Sequence, residues 1–252
     1  MSETEKTMEQ PAENTAAKTA DAKETAKKKN RKEKKKRTVG QEIASWILTI
    51  LIAVIAALLI RSFIFEPVRV DGQSMDDTLA NGEIMFVTKF DYSTTWLSLP
   101  WQDNAAKQNM PRINFGGNPK RFDVVICRYP GRGDTNFVKR VVGLPGDTIE
   151  LTDGYLYVNG EKYDEPYIND EYRKGPLNTF RTYYVPQKGD TVNGKEVKED
   201  MYFVMGDHRN NSNDSRSVGA IERSMIVGHV RQVVYPFSEW RSIPNGMDAG
   251  AE

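Results

Sequence analysis

FVKRVVGLPGDTIELTDGYLYV, residues 137–158, sets the structural class of most of this chain. It holds three short runs, FVKRVV (137–142), TIEL (148–151) and YLYV (155–158), rich in Val, Ile, Phe and Tyr and parted by Gly, Pro and Asp. Side chains that alternate apolar and polar mark strands with one face buried. Thr152-Asp153-Gly154 between the second and third runs predicts a tight hairpin. The same texture extends in both directions. Upstream lie VRV (68–70), EIMFVTKF (83–90) and FDVVICRY (122–129); downstream lie MYFV (201–204) and MIVGHVRQVVY (225–235). Gly, Pro, Asn and Asp clusters separate them, and no long helical period or repeat occurs in this part of the chain. The expectation is a mostly β domain.

A different texture precedes it. ASWILTILIAVIAALLI, Ala44–Ile60, is seventeen residues without a charge, with Ser45 and Thr49 its only polar side chains. As a helix it spans roughly 26 Å, the short end of what crosses a hydrocarbon core. Trp46 suits an interfacial anchor at one end, and Phe63 and Phe65 at the other. A buried core helix and a cleaved signal peptide are the competing readings. A cleaved signal carries small residues after the apolar run, whereas Arg61-Ser62-Phe63 follows here. The run reads as a retained transmembrane anchor.

Charge gives the anchor a direction. The chain has 35 basic and 35 acidic residues, but Lys27–Arg37 (KKKNRKEKKKR) concentrates nine of the basic ones. From Arg61 onward 23 Lys and Arg face 27 Asp and Glu, which argues against a nucleic-acid-binding domain. The positive-inside rule puts the N-terminus in the cytoplasm and the β domain across the membrane, and the basic block suits anionic headgroups. Residues 1–40 are too poor in large apolar side chains to offset chain entropy and read as a disordered basic tail. One cysteine and two histidines cannot build a disulfide framework or a Cys-rich zinc site, and no metal or organic cofactor is implied elsewhere in the chain. Cys127, inside VVICRY, reads as a small buried hydrophobe.

Three clusters carry the chemistry: DGQSMDDTL (71–79), KRVVGLPGD (139–147) and GDHRNNSNDSR (206–216). In order and spacing behind an anchor they resemble the serine, lysine and C-terminal boxes of the bacterial type I signal peptidases, of the single-anchor Gram-positive-like type. The resemblance covers the anchor and most of 61–235 and fades in 91–120 and 160–198. It implies an antiparallel β-barrel-like catalytic core with a smaller β subdomain, preceded by one transmembrane helix. The corresponding boundaries are a tail at 1–40, an anchor at 41–62, a peptidase domain at 63–240 (about 149–200 partly the subdomain) and a C-terminal tail at 241–252.

By that resemblance Ser74 is a nucleophile and Lys139 its general base in a serine endopeptidase that removes signal peptides after small residues at −3 and −1. Only about one free lysine in 2500 is neutral at pH 7, so such a base needs a downward shift of roughly three units, about 4 kcal/mol. Burial supplies such a shift, because it disfavours the ammonium form. On a strand Phe137, Lys139 and Val141 share one face, which can be dry, and Arg140 points the other way. Without the boxes Lys139 would read as a solvated strand lysine and Ser74 as a turn serine. Ser74 is no nucleophile elbow, since its context is Gly-x-Ser-x-Asp. A Ser-His-Asp triad would have to use His208, which stands where the family usually has Asn, or His229, which lies in an apolar-alternating strand.

The resemblance gives Ser212 the role of contacting and orienting the lysine amine. Asp214 and Arg216 match a structural ion pair, and Asp207 is expected to pair with Arg140. Met75, Leu79 and Val138 are expected, by analogy, to line shallow substrate pockets. The Ser74 backbone N–H is the expected oxyanion donor. Where some relatives add a hydroxyl two residues earlier, this chain has Gly72, so that donor is absent or replaced. The chain departs from the family at Asp77, where Pro is usual, and at His208 and Asn210, where Asn and Asp are usual. Those departures motivate the alternative of a catalytically silent, membrane-tethered binding module; intact Ser74, Lys139 and Ser212 argue against it. A self-cleaving repressor-type protease shares the dyad but carries a DNA-binding domain in place of an anchor. The implied partners are signal-peptide-bearing preproteins, membrane lipid and the protein-export machinery, with no nucleic acid. Trp96, Leu97, Leu99 and Trp101 either enter the bilayer interface or pack on the domain.

Overall fold

A computed structural model of the chain describes residues 38–63, 65–89, 91–95, 112–114, 117–132, 135–175 and 178–243. The expectations for the basic tail, for Trp96 to Trp101 and for most of 241–252 lie outside the described residues. Helix α1 runs Val39–Phe63, and its first 22 residues are long and apolar enough to cross a bilayer. Its apolar side chains, among them Trp46, Ile47, Leu51 and Ile55, are exposed. A helix apolar on all sides with no protein core around it is suited to lipid. Its one hydroxyl in mid-run is satisfied internally, Thr49 Oγ1 donating to the Ser45 carbonyl at 2.8 Å.

The β part begins with strand β1 (Phe65–Arg69), followed by β2 (Ile84–Thr88), β3 (Ser93–Thr95), β4 (Arg112–Asn114), β5 (Val124–Cys127) and β6 (Phe137–Gly143). Next come β7 (Thr148–Thr152), β8 (Tyr155–Val158), β9 (Glu161–Lys162), β10 (Phe180–Tyr184), β11 (Thr191–Val192), β12 (Lys195–Glu196) and β13 (Met201–Met205). A short helix, α2 (Ser215–Val218), precedes β14 (Ile221–Glu222), β15 (Ile226–Tyr235) and β16 (Arg241–Ser242). Among the described residues the main sheet has eight strands in the order β1-β2-β15-β5-β6-β13-β14, with β16 on β15. Its pairings are all antiparallel. A four-stranded antiparallel sheet, β10-β7-β8-β9, draws on residues 148–184, and β11 pairs with β12. The mostly β class and the single N-terminal apolar helix agree with the sequence-based expectation.

Residues 137–158 form β6, β7 and β8, as their alternation predicts. The hairpin loop is the two residues Asp153 and Gly154, at φ +51° and +81°, which matches a turn whose twist suits antiparallel strands. β6 runs between β5 and β13, with Lys139 opposite Val125 and Arg140 opposite Met205. Its side chains therefore feed different parts of the core. Val138 packs against a cluster with Met75, Leu79 and Val87; Val141 joins Cys127, Tyr129 and Val204; Val142 joins Ile149, Leu156 and Phe203. Because every strand position near the site is committed to a packed layer, the two cations of β6 are held in fixed directions.

Candidate active site

Three segments contribute to the site: residues 70–79 after β1, Lys139 and Arg140 within β6, and residues 206–216 after β13. The first is a tight turn pinned from below. Thr78 and Leu79 donate to the Met75 carbonyl at 3.0 and 2.8 Å, and Met75 and Leu79 are buried in the core. That leaves Ser74 at the half-buried edge of the turn.

Lys139 Nζ lies 2.6 Å from Ser74 Oγ and donates to the Val138 carbonyl at 2.8 Å. The lysine is only 2% exposed. Burial pushes its amine below the ordinary lysine value, against an upward pull from Cys127, Asp214 and Asp207. A neutral amine has two protons and one lone pair. With one proton spent on the Val138 carbonyl, the lone pair is free to accept from the serine hydroxyl. The contact thus has the geometry and the proton inventory of a nucleophile and its base.

The dyad opens onto a cleft of about 440 Å³ whose walls include Gly72, Ser74, Asn81, Phe137, Lys139 and Asn211. Of the residues expected to line substrate pockets, Met75 and Leu79 lie in the core and Val138 packs against it, while the apolar wall of this cleft is Phe137. Ser212 is half-buried nearby; its hydroxyl oxygen is buried, makes no hydrogen bond to Lys139, and helps hold the Asp214 carboxyl down. The lysine contact expected of it is thus not a hydrogen bond in this structure. A methyl group on Gly206 would overlap the Ser212 hydroxyl and the Ser74 carbonyl, so both groups close over that α-carbon. Gly206→Ala is therefore expected to displace the Ser74 turn and lower kcat/KM by at least about tenfold, since small misplacements of reacting groups are costly. A steady-state assay on the folded variant checks this.

Beneath the dyad the charged residues are paired. Arg140 donates to Asp207 through Nε and Nη2 at 2.9 and 2.7 Å, and Thr78 Oγ1 donates to the same carboxylate at 2.5 Å. This ties the serine turn to β6 and to the segment after β13. Arg216 donates to Asp214 at 2.8 and 2.7 Å, and to the Arg209 carbonyl at 2.7 Å. Burial alone would raise the Asp214 carboxyl, but Arg216 and the Gly206 N–H outweigh it and hold the group below the usual range.

Glu165, Tyr167 and Tyr172 have no counterpart in the reading of the sequence, and His208, Asn210 and Asp77 enter it as departures from the family. Arg209 and Glu165 form a buried ion pair, 1% and 0% exposed, with the Tyr167 hydroxyl donating to Glu165 at 3.0 Å. Arg140 lies 3.8 Å from the Tyr167 ring centroid. His208 grips the serine turn: its N–H donates to the Ser74 carbonyl at 3.2 Å, and its Nδ1 is 3.1 Å from the Gln73 carbonyl and 3.4 Å from Asp76. Its ring stacks on Tyr172 at 3.7 Å. Asn210 reaches the Glu171 carbonyl at 3.4 Å. Asp77 sits at φ +79°, which proline cannot adopt.

The remaining candidates of the sequence lie apart from this chemistry. His229 is buried on β15, its ring nitrogens 3.4 Å from Asp91 and 3.7 Å from Asp123, and burial lowers its basicity. Cys127 is fully buried, its thiol pushed up to about 12 by that burial. No cluster of three or more His, Cys, Asp or Glu able to hold a metal ion occurs among the described residues.

Comparison with known proteins identifies the family. Residues 43–235 match the family described as signal peptidase, peptidase S26. Signal peptidase I of Bacillus licheniformis is 37% identical over 78% of this chain and 91% of its own length. Signal peptidase I S of Bacillus subtilis is 38% identical over the same shares. Signal peptidase IB of Staphylococcus aureus is 32% identical over 78% of this chain and 92% of its own length. A solved signal peptidase I from Enterococcus faecalis is 33% identical, covers 44% of this chain and 96% of that one, and superposes with a TM-score of 0.34. A matched segment that takes in the apolar helix and all three clusters, with relatives aligned over nine-tenths of their length, places this chain in the signal peptidase (S26) family.

Proposed function

We propose that this chain is a membrane-anchored signal peptidase I, with Ser74 as nucleophile and Lys139 as general base, acting on exported preproteins. The observation that carries the assignment is the 2.6 Å contact between a desolvated Lys139 amine and the Ser74 hydroxyl. Neutral Lys139 takes the Ser74 proton as Oγ attacks the scissile carbonyl carbon. Collapse of the tetrahedral adduct breaks the C–N bond, Lys139 returns the proton to the leaving amine, and the signal peptide is left as an ester on Ser74. A water, deprotonated by the same amine, then hydrolyses the ester. The Arg140–Asp207 and Asp214–Arg216 pairs hold the two flanking segments. The nine basic residues of Lys27–Arg37, just before α1, support an N-terminus in the cytoplasm, against anionic lipid, and a catalytic domain on the far side, where preproteins emerge from the export machinery.

The test is cleavage of a preprotein with small residues at −3 and −1 by the detergent-solubilised chain. Absence of cleavage by folded protein overturns the assignment in favour of a tethered binding module. The pH profile adds a second reading. Only unprotonated Lys139 serves as base, so kcat/KM rises with pH through an apparent pKa below that of an ordinary lysine, because burial lowers it. The same burial costs stability: between the folded and unfolded pKa values the unfolded chain binds more protons, so stability increases with pH across that window. Lys139→Met is expected to remove that slope along with activity, as followed by thermal unfolding at several pH values.

A further inference from the structure

Attack on a carbonyl needs donors for the oxyanion, and the Ser74 N–H is only one. A hydroxyl on residue 72 cannot supply another in this chain. Gly72 sits at φ +112°, in the region that L side chains rarely adopt, and a β-carbon there would have no atom within 4 Å to pack on. The Gly72 N–H instead donates to Asn81 Oδ1 at 3.1 Å. Because only the carbonyl end of an amide accepts from an N–H, this contact assigns the flip of Asn81 without ambiguity. Its NH₂ is thereby directed away from Gly72, and Asn81 lines the same cleft as Ser74 and Lys139. The amides of Gln73, Asn211 and Asn213 line that cleft too, but no hydrogen bond fixes their side chains among the described residues.

The geometry points to Asn81 as the side-chain oxyanion donor of this site, its Nδ2–H standing in for the hydroxyl that Gly72 lacks. The assignment rests on the peptidase reading above. Residue 72 gives up its own side chain and, through its backbone N–H, holds a borrowed one in place from the turn before β2. Before reaction the amide is solvated by water in an open cleft. In the tetrahedral adduct it meets a full negative charge, so its contribution falls on the transition state rather than on substrate binding.

Two substitutions separate this role from a structural one. Asn81→Asp keeps an oxygen to accept from the Gly72 N–H but loses the donor and adds a charge that repels the oxyanion. Asn81→Ala loses both. With preprotein cleavage as the assay and unchanged Tm as the folding control, both variants are expected to lose on the order of 10²-fold in kcat with little change in KM. Both should also bind a peptide aldehyde, whose adduct with Ser74 carries the same oxyanion, more weakly by the same factor. Wild-type kcat in Asn81→Asp with loss only in Asn81→Ala would show that the residue merely caps the Gly72 turn, and overturns the proposal. So does wild-type kcat in Asn81→Ala. If the unmodified chain fails to cleave, the peptidase reading itself falls, an outcome distinct from either.

Discussion

Ser74→Ala and Lys139→Ala should each reduce signal-peptide cleavage by about 10⁴- to 10⁶-fold, and the double variant should be no worse than either. The non-additivity follows from the 2.6 Å contact, because a hydroxyl without its base and a base without its hydroxyl are equally idle. Lys139→Arg is expected to be as inert as the alanine variant. A guanidinium does not give up its proton at any working pH, and the pocket that holds the amine is closed by packed strands. Single-turnover cleavage with each folded variant measures the effect. A double variant a further hundredfold slower would show that the two residues act in separate steps, which this geometry does not allow.

Glu165→Ala should produce the largest loss of stability, about 3–5 kcal/mol, or a fall in Tm on the order of 10 °C. Arg209 is 1% exposed and has its charge balanced by a carboxylate that is 0% exposed. Its Nε also donates to the Gly206 carbonyl at 3.2 Å, and its own carbonyl accepts from Arg216. Deleting the carboxylate strands a guanidinium out of water in the segment that closes over the serine turn. Glu165→Gln retains acceptor and shape and should lose less, since part of the penalty comes from the unpaired charge and part from the lost hydrogen bonds. Thermal unfolding of the two variants tests this ordering. A Tm within about 2 °C of wild type for Glu165→Ala would mean that water reaches Arg209.

That ion pair also shows where the reading of the sequence stopped. Local periodicity suffices for β6 to β8, since alternation and a two-residue turn are properties of neighbouring residues. It suffices as well for the apolar run that becomes α1. Sheet order is different. β15 lies between β2 and β5, partners that are a hundred or more residues away, and no local pattern states which strands meet. Ser74 and Lys139 were legible because their surrounding clusters resemble a family. Glu165 was not, because 160–198 is where that resemblance fades, and a glutamate in a polar segment carries no mark of its burial. Arg209 lies inside the third cluster, yet an arginine in an Asn- and Ser-rich turn looks solvated until the element that covers it is placed. Gly72 was legible as a missing hydroxyl, while the position that compensates for it is set by the fold of the turn at 80–83.

Helix α1 ends at Phe63 and β1 starts at Phe65, so Ser74 is the eleventh residue after the end of the helix. Fully extended, that length of chain spans roughly 40 Å at most, and five of its residues are already fixed in a strand. On the proposed topology the nucleophile is leashed to the bilayer surface by a short, stiff tether. Encounter with a preprotein held in the same bilayer becomes a search over an area rather than a volume, and the local concentration of cleavage sites rises accordingly. The tether also acts as a ruler. Peptide bonds carried well clear of the membrane lie beyond its reach whatever residues flank them, so that depth joins side-chain size as a criterion for where the chain is cut.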